Sequence, residues 1–304
     1  MKILTLLPAI TVAILLLGSC NHGEEILPVP PASPTPETSE EPAVIERKPA
    51  FTLDTKSDSY QYETYQGLSY RVLFPANYDS TKQYPLLMFL HGIGERGTDN
   101  DRQLAIGASY FRIDSVRQRY HAFVMYPQCP EANFWFDGEV TEKLKGLIDE
   151  FQRQFAVDQA KISIGGFSMG AYGTFEMVSR YPGLFEAAFA IAGAGDERKA
   201  PQMAASRWKI FAGDQDDVVP VTRSEDMAKA LAKAAGLPFV ATSVADWFSA
   251  SDAHLGAVVK EQKRFFAELR TMRPCVGFSD ELDALPSRAS LSGSSNRDFW
   301  APVI

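Results

Sequence analysis

Apolar runs and helical periodicities alternate through the middle of the chain. Leu86-Leu87-Met88-Phe89-Leu90 is apolar throughout, which suits a strand buried on both faces. Similar runs predict strands at 69–74, 85–90, 122–126, 161–164, 187–191, 209–212 and 239–244. Between them Val140, Leu144, Leu147, Ile148, Phe151 and Phe155 recur at helical spacing among charged residues. Val258, Val259, Phe265, Phe266, Leu269 and Met272 predict a last helix in the same way. Strands alternating with helices imply an α/β fold: a mostly parallel central sheet with helices on both faces. The strands that precede the first helix predict an antiparallel start.

The flanks read differently. Lys2 precedes an apolar run over 3–17, which ends in Leu17-Gly18-Ser19-Cys20. That arrangement resembles a bacterial lipoprotein signal peptide, in which Cys20 is lipidated and becomes the new N-terminus. Residues 1–20 are therefore expected to be a signal peptide. Residues 21–50, rich in Pro, Glu, Ser and Thr, are expected to form a disordered tether. The catalytic domain is expected over 51–273, and a disordered tail over 274–304. The expected location is exported, anchored to a membrane through Cys20.

The net charge is −8. An acidic chain is a poor partner for nucleic acid, which demands a basic surface. No Cys or His spacing suggests a metal site, and no cofactor is expected. Cys129 and Cys275 could pair in an oxidising compartment or remain two thiols.

The chemistry centres on Gly166-Phe167-Ser168-Met169-Gly170. Gly-x-Ser-x-Gly is a weak signal alone. Here a predicted strand leads in and a helical stretch over 171–180 leads out, as a nucleophile elbow requires. The tight turn leaves no room for side chains at the two glycines. Ser168 is the candidate nucleophile, and a serine hydroxyl needs a base.

Four histidines are available. His22 lies in the tether, His121 precedes a strand, and His91 follows the strand over 85–90. His254, after the last predicted strand, is left as the candidate base. Its orienting carboxylate falls in Gly213-Asp214-Gln215-Asp216-Asp217-Val218-Val219-Pro220. Asp216 is favoured there, with Asp217 and Asp214 as alternatives. The order Ser168, Asp216, His254 is the one expected of this arrangement. Oxyanion donors are expected at the backbone N–H groups of Met169 and Ile93, the latter in His91-Gly92-Ile93-Gly94. Glu95, Arg96, Asp99 and Asn100 should form a hydrogen-bond network that fixes this loop.

Together these motifs resemble the α/β-hydrolase superfamily. His91 to Asn100, Tyr126-Pro127-Gln128-Cys129-Pro130 and Trp135 are similar to a bacterial secreted group. That group is called predicted peptidases, polyhydroxybutyrate-depolymerase-like esterases or feruloyl-esterase-like hydrolases. The resemblance implies a serine hydrolase acting on an ester, including polymeric or carbohydrate-linked esters. A peptidase or amidase is the alternative, and a non-catalytic binding protein on the same scaffold a third. The short stretch between the strands at 187–191 and 209–212 leaves no room for a large cap domain. Trp135 and Trp247 are candidate pocket residues, with Phe134, Phe136 and Phe248 beside them.

Overall fold

The apolar runs become the strands of one seven-stranded sheet. The computed structural model describes residues 51–213, 216–243 and 276–280, with single helical positions at 260, 263, 264 and 267. The strands are β1 (Gln61–Tyr65), β2 (Leu68–Leu73), β3 (Tyr84–Leu90), β4 (Phe123–Pro127), β5 (Val157–Phe167), β6 (Ala187–Ile191) and β7 (Arg207–Phe211). Their order in the sheet is β1-β2-β4-β3-β5-β6-β7. β1 with β2 and β2 with β4 are antiparallel, and every later pairing is parallel. The expected antiparallel start is therefore present.

Alternation along β3 distributes its side chains to two cores. Leu86, Met88 and Leu90 join the larger cluster, whereas Leu87 and Phe89 join the smaller one on the opposite face. The helices are α1 (Ala108–Phe111), α2 (Asp114–Arg119), α3 (Gly138–Gln154), α4 (Met169–Arg180), α5 (Ala200–Met203) and α6 (Val221–Ala234). α3 buries Val140, Leu144, Leu147, Ile148 and Phe151, as its spacing predicts. Glu139 in its first turn and Arg153 in its last suit the helix dipole. Met227 and Leu231 of α6 enter the larger core, and Ser224 Oγ donates to the Gly193 carbonyl at 2.9 Å. Between β6 and β7 there is only a 3-10 turn and the short α5, so no cap domain is inserted between these two strands.

The strand expected over 239–244 forms as β8 (Phe239–Ser243), but it does not join the large sheet. It pairs in parallel with β9 (Val276–Asp280) in a separate two-stranded sheet. β9 places a strand at 276–280 inside the tail expected to be disordered over 274–304; residues 281–304 lie outside the described residues. The apolar Val276-Gly277-Phe278 run is short, and the Ser-rich stretch after it hid its strand character. An apolar run marks a strand without naming its partner, so the pairing of β8 with β9 could not be read from it. The last helix expected over 258–272 is helical at 260, 263, 264 and 267; its other positions lie outside the described residues. The signal segment with Cys20, and the tether, also lie outside them. Among the described residues no helix is long and apolar enough to cross a membrane.

Candidate active site

Ser168 sits where β5 turns into α4, as the N-cap of that helix. Its φ is +52° and ψ −117°, a conformation a non-glycine residue holds only when its surroundings enforce it. The enforcement is visible. Ser168 N–H donates to the Ile191 carbonyl at 2.9 Å, and its own carbonyl accepts from Ala171 N–H at 2.8 Å. A Cβ on Gly166 would overlap the Gly170 carbonyl, and one on Gly170 would overlap the carbonyl of Leu90. Both glycines are therefore required by backbone packing. Met169 is the first residue of α4, where backbone N–H groups lack an intrahelical partner.

The register of the sheet brings the second loop to the same place. Leu90 pairs with Gly166, so the chain leaving β3 runs beside the elbow. His91 and Gly92 are buried, and a 3-10 turn follows over Ile93–Glu95. Ile93 is exposed on this turn.

His91 is not a base. Its Nδ1 donates to the Gly92 carbonyl at 2.6 Å, and its Nε2 accepts from Cys129 N–H at 3.0 Å. Both nitrogens are thus committed in the neutral ring, with the tautomer fixed by these partners. Burial lowers its pKa to about 4. The ring lies edge-on to Trp135 at 4.9 Å between centroids, and Trp135 Nε1 donates to the His91 carbonyl at 2.9 Å.

The network expected in this loop is present. Asp99 Oδ1 accepts from the N–H groups of Asp101 and Arg102 and from Gln128 Nε2, at 2.9–3.0 Å. Those donors, the Arg102 N–H first, hold its pKa down at about 2. Asn100 N–H donates to Gln128 Oε1 at 2.6 Å, and Asn100 Nδ2 to the Glu63 carbonyl at 3.3 Å. Arg96 donates to the carbonyls of Ile93 and Asn133, at 3.3 and 3.2 Å. Glu95 is half-buried, its pKa is raised by burial, and its Oε2 has no partner. Gln128 was a residue of the quoted motif with no role assigned.

Trp135 requires a correction. It is fully buried, packed against Gly173 of α4, where a glycine Cβ would overlap its own Cβ. A side chain with no exposed surface cannot line an open pocket. Its neighbours Phe134 and Phe136 are the exposed ones, stacked on each other at 5.1 Å with 13° between planes. Arg96 lies over Phe134 at 5.1 Å.

Asp216 is half-buried after β7, whereas Asp217 is exposed. Asp216 Oδ1 accepts from the N–H groups of Val218 and Val219, both at 2.9 Å. One carboxylate oxygen is thereby anchored in its own loop, which orients the other. Asp214 lies outside the described residues, as do His254, Trp247, Phe248 and Cys275. Cys129 is a buried free thiol whose pKa burial raises to about 12. His121 is exposed at the start of β4. In a parallel sheet that is the end opposite Ser168, so His121 cannot serve as base. Among the described residues no cluster of His, Cys, Asp or Glu could hold a metal ion.

Comparison with known proteins gives two family matches. Residues 63–229, more than half of the chain, match the Esterase family. Residues 226–300 match the family of ATPases associated with various cellular activities. P-loop ATPases need a Gly-x-x-x-x-Gly-Lys-Ser/Thr loop to cradle phosphates and a strand-end aspartate for Mg²⁺. Asp280 ends β9, but this sequence contains no such loop. The second match therefore brings no recognisable nucleotide site, although it covers β8, His254 and β9.

A crystal structure of a thermostable esterase is 31% identical, with a TM-score of 0.54, covering 59% of this chain and 52% of that one. Poly(3-hydroxyalkanoate) depolymerase C of Paucimonas lemoignei is 27% identical over 122 residues, 36% of this chain and 28% of that protein. The chain thus spans only part of the length of these relatives. The family match covers the elbow, the loop after β3 and the Asp216 turn. The solved esterase shares the mixed sheet with flanking helices. The chain belongs to the Esterase family of the α/β-hydrolase superfamily.

Proposed function

We propose that the chain is a serine carboxylic ester hydrolase. Ser168 attacks the ester carbonyl, His254 takes its proton, and Asp216 orients and stabilises the resulting imidazolium. The Met169 and Ile93 N–H groups receive the oxyanion. The observation that carries the reading is the backbone of Ser168. A serine is held at positive φ at the head of a helix, between two glycines that backbone packing requires, as a nucleophile elbow demands. An ester is favoured over an amide because an alkoxide leaves with less demand on proton delivery. The absence of a cap between β6 and β7 suits bulky, polymeric or carbohydrate-linked esters, with Phe134 and Phe136 as the apolar wall. The protein is exported and held at a membrane by lipid on Cys20.

One observation favours a second reading. Among the described residues the large sheet ends at β7, and His254 falls in the segment matched by the other family, after a strand that pairs with β9. A scaffold with a nucleophile and an acid but no base would bind esters without turning them over. A fluorophosphonate probe with matched p-nitrophenyl esters and p-nitroanilides separates the readings. The hydrolase reading expects rapid labelling, faster ester than anilide turnover, and loss of about 10⁴-fold in kcat for Ser168→Ala and for His254→Ala. Absent labelling of the wild-type protein selects the binding reading. Equal activity of His254→Ala and wild type removes His254 from the mechanism.

A further inference from the structure

The loop carrying Ile93 is pinned at several points to two consecutive residues after β4. Cys129 N–H donates to His91 Nε2, and the Cys129 carbonyl accepts from Gly97 N–H at 2.9 Å. Gln128 does the rest. It is 1% exposed, and its own N–H donates to the Ser69 carbonyl at 2.8 Å. Its side-chain Nε2 donates to the Glu95 carbonyl at 3.2 Å and to Asp99 Oδ1 at 3.0 Å. Its Oε1 accepts from Asn100 N–H at 2.6 Å. Both amide hydrogens and the amide oxygen are thus used, and all three partners belong to the loop.

We infer that Gln128 is a positioning residue for the oxyanion loop, fixing the turn that presents the Ile93 N–H. This rests on the reading of Ile93 as an oxyanion donor. The geometry explains why an amide is needed. Ile93 begins the 3-10 turn and Glu95 ends it. The near side of the turn is held by His91, buried and bonded at both nitrogens. The far side is held where Gln128 takes the Glu95 carbonyl. Arg96 also touches the Ile93 carbonyl, but from a partly exposed side chain. Without Gln128 the far side of the turn loses three hydrogen bonds at once and is left with the Gly97–Cys129 backbone bond and the contacts of Arg96. An oxyanion donor contributes only when it is already aimed at the place where charge develops. Loosening it should therefore lower kcat and leave KM nearly unchanged.

The test uses the full chain with Gln128→Met, which keeps the volume and removes the amide, and Gln128→Glu, which keeps the acceptor for Asn100. Three quantities are measured: hydrogen exchange of peptides covering 91–101, kcat and KM on p-nitrophenyl acetate, and Tm. For Gln128→Met, exchange in 91–101 should quicken by about tenfold or more while β5 and β6 keep wild-type protection. Its kcat should fall by about 10–100-fold with KM within about threefold. Gln128→Glu, when ionised, sets a carboxylate against the Glu95 carbonyl and Asp99. Its excess exchange over wild type should shrink as pH falls and the new carboxyl becomes a donor. A residue that merely fills space gives no such pH dependence. Wild-type exchange in 91–101 for both variants overturns the inference, as does an unchanged kcat in folded Gln128→Met. If the wild-type protein hydrolyses nothing, the Ser168 reading fails, and the exchange comparison still decides the role of Gln128.

Discussion

Acid should loosen this fold through His91. In the folded protein its pKa lies near 4, chiefly because the ring is buried; in the unfolded chain it returns to about 6.5. A histidine with a depressed folded pKa is neutral in the native state and charged in the unfolded state between those values. The unfolded chain then binds more protons, so stability rises with pH across the window and is lost as pH falls through it. Between pH 7 and pH 5 the loss from this residue is about 2 kcal/mol, since one pKa unit is worth about 1.4 kcal/mol. It should reach about 3 kcal/mol near pH 4. The assay is urea unfolding at several pH values, followed by tryptophan fluorescence, with His91→Gln as the partner. Gln keeps a donor and an acceptor at this position but does not titrate. His91→Gln should be less stable at pH 7, where the ring's bonds are intact in the wild type, and its stability should fall less steeply toward pH 5. Parallel pH profiles for the two proteins would refute the assignment of His91 as a buried neutral ring.

Three further outcomes are expected. Asp216→Asn should lower kcat by about 10³–10⁴-fold and Asp217→Asn by little; steady-state kinetics in which the two exchange places would move the acid to Asp217. Replacing Phe134 and Phe136 together by Ala should raise KM for long or polymeric esters several-fold and leave p-nitrophenyl acetate turnover nearly unchanged, because both rings are exposed. A specificity ratio equal to wild type would remove them from the substrate path. Cys20→Ser should release the protein from the membrane fraction, and persistent membrane association on fractionation would point to another anchor.

The parts of the site legible in the sequence are those set by local chemistry. The elbow needs two glycines and a serine in five residues, and Gly166 and Gly170 touch backbone as that spacing implies. The apolar runs marked β3, β4 and β6 because strands buried on both faces show little alternation. β1 was missed because Gln61-Tyr62-Glu63-Thr64-Tyr65 lies at the sheet edge with alternate residues exposed and no apolar run. Trp135 and its flanking phenylalanines show the limit from the other side. Three aromatic residues in a row carry no mark of which one turns inward. That choice was made by Gly173 and the His91 carbonyl, which lie far along the chain. Gln128 was invisible for the same reason, since its partners lie 28 to 33 residues away.

The strain at Ser168 is held by contacts among the described residues. Both family matches overlap at 226–229, inside α6. That helix packs Met227 and Leu231 into the hydrolase core and also touches β8 and β9. Ser168 and its glycines are held by contacts with Ile191, Leu90 and Gly170, and the loop after β3 by Gln128 and Cys129, all of which precede α6. Holding Ser168 at positive φ costs about 1–3 kcal/mol, and that strain is offset by the hydrogen bonds and glycine contacts of the elbow. None of these named contacts is made by His254. The nucleophile can consequently be preorganised in a folded protein whether or not a base reaches it. Loss of Ser168 labelling by a fluorophosphonate in His254→Ala, with an unchanged Tm, would therefore place the base after α6, apart from the elbow that holds the nucleophile.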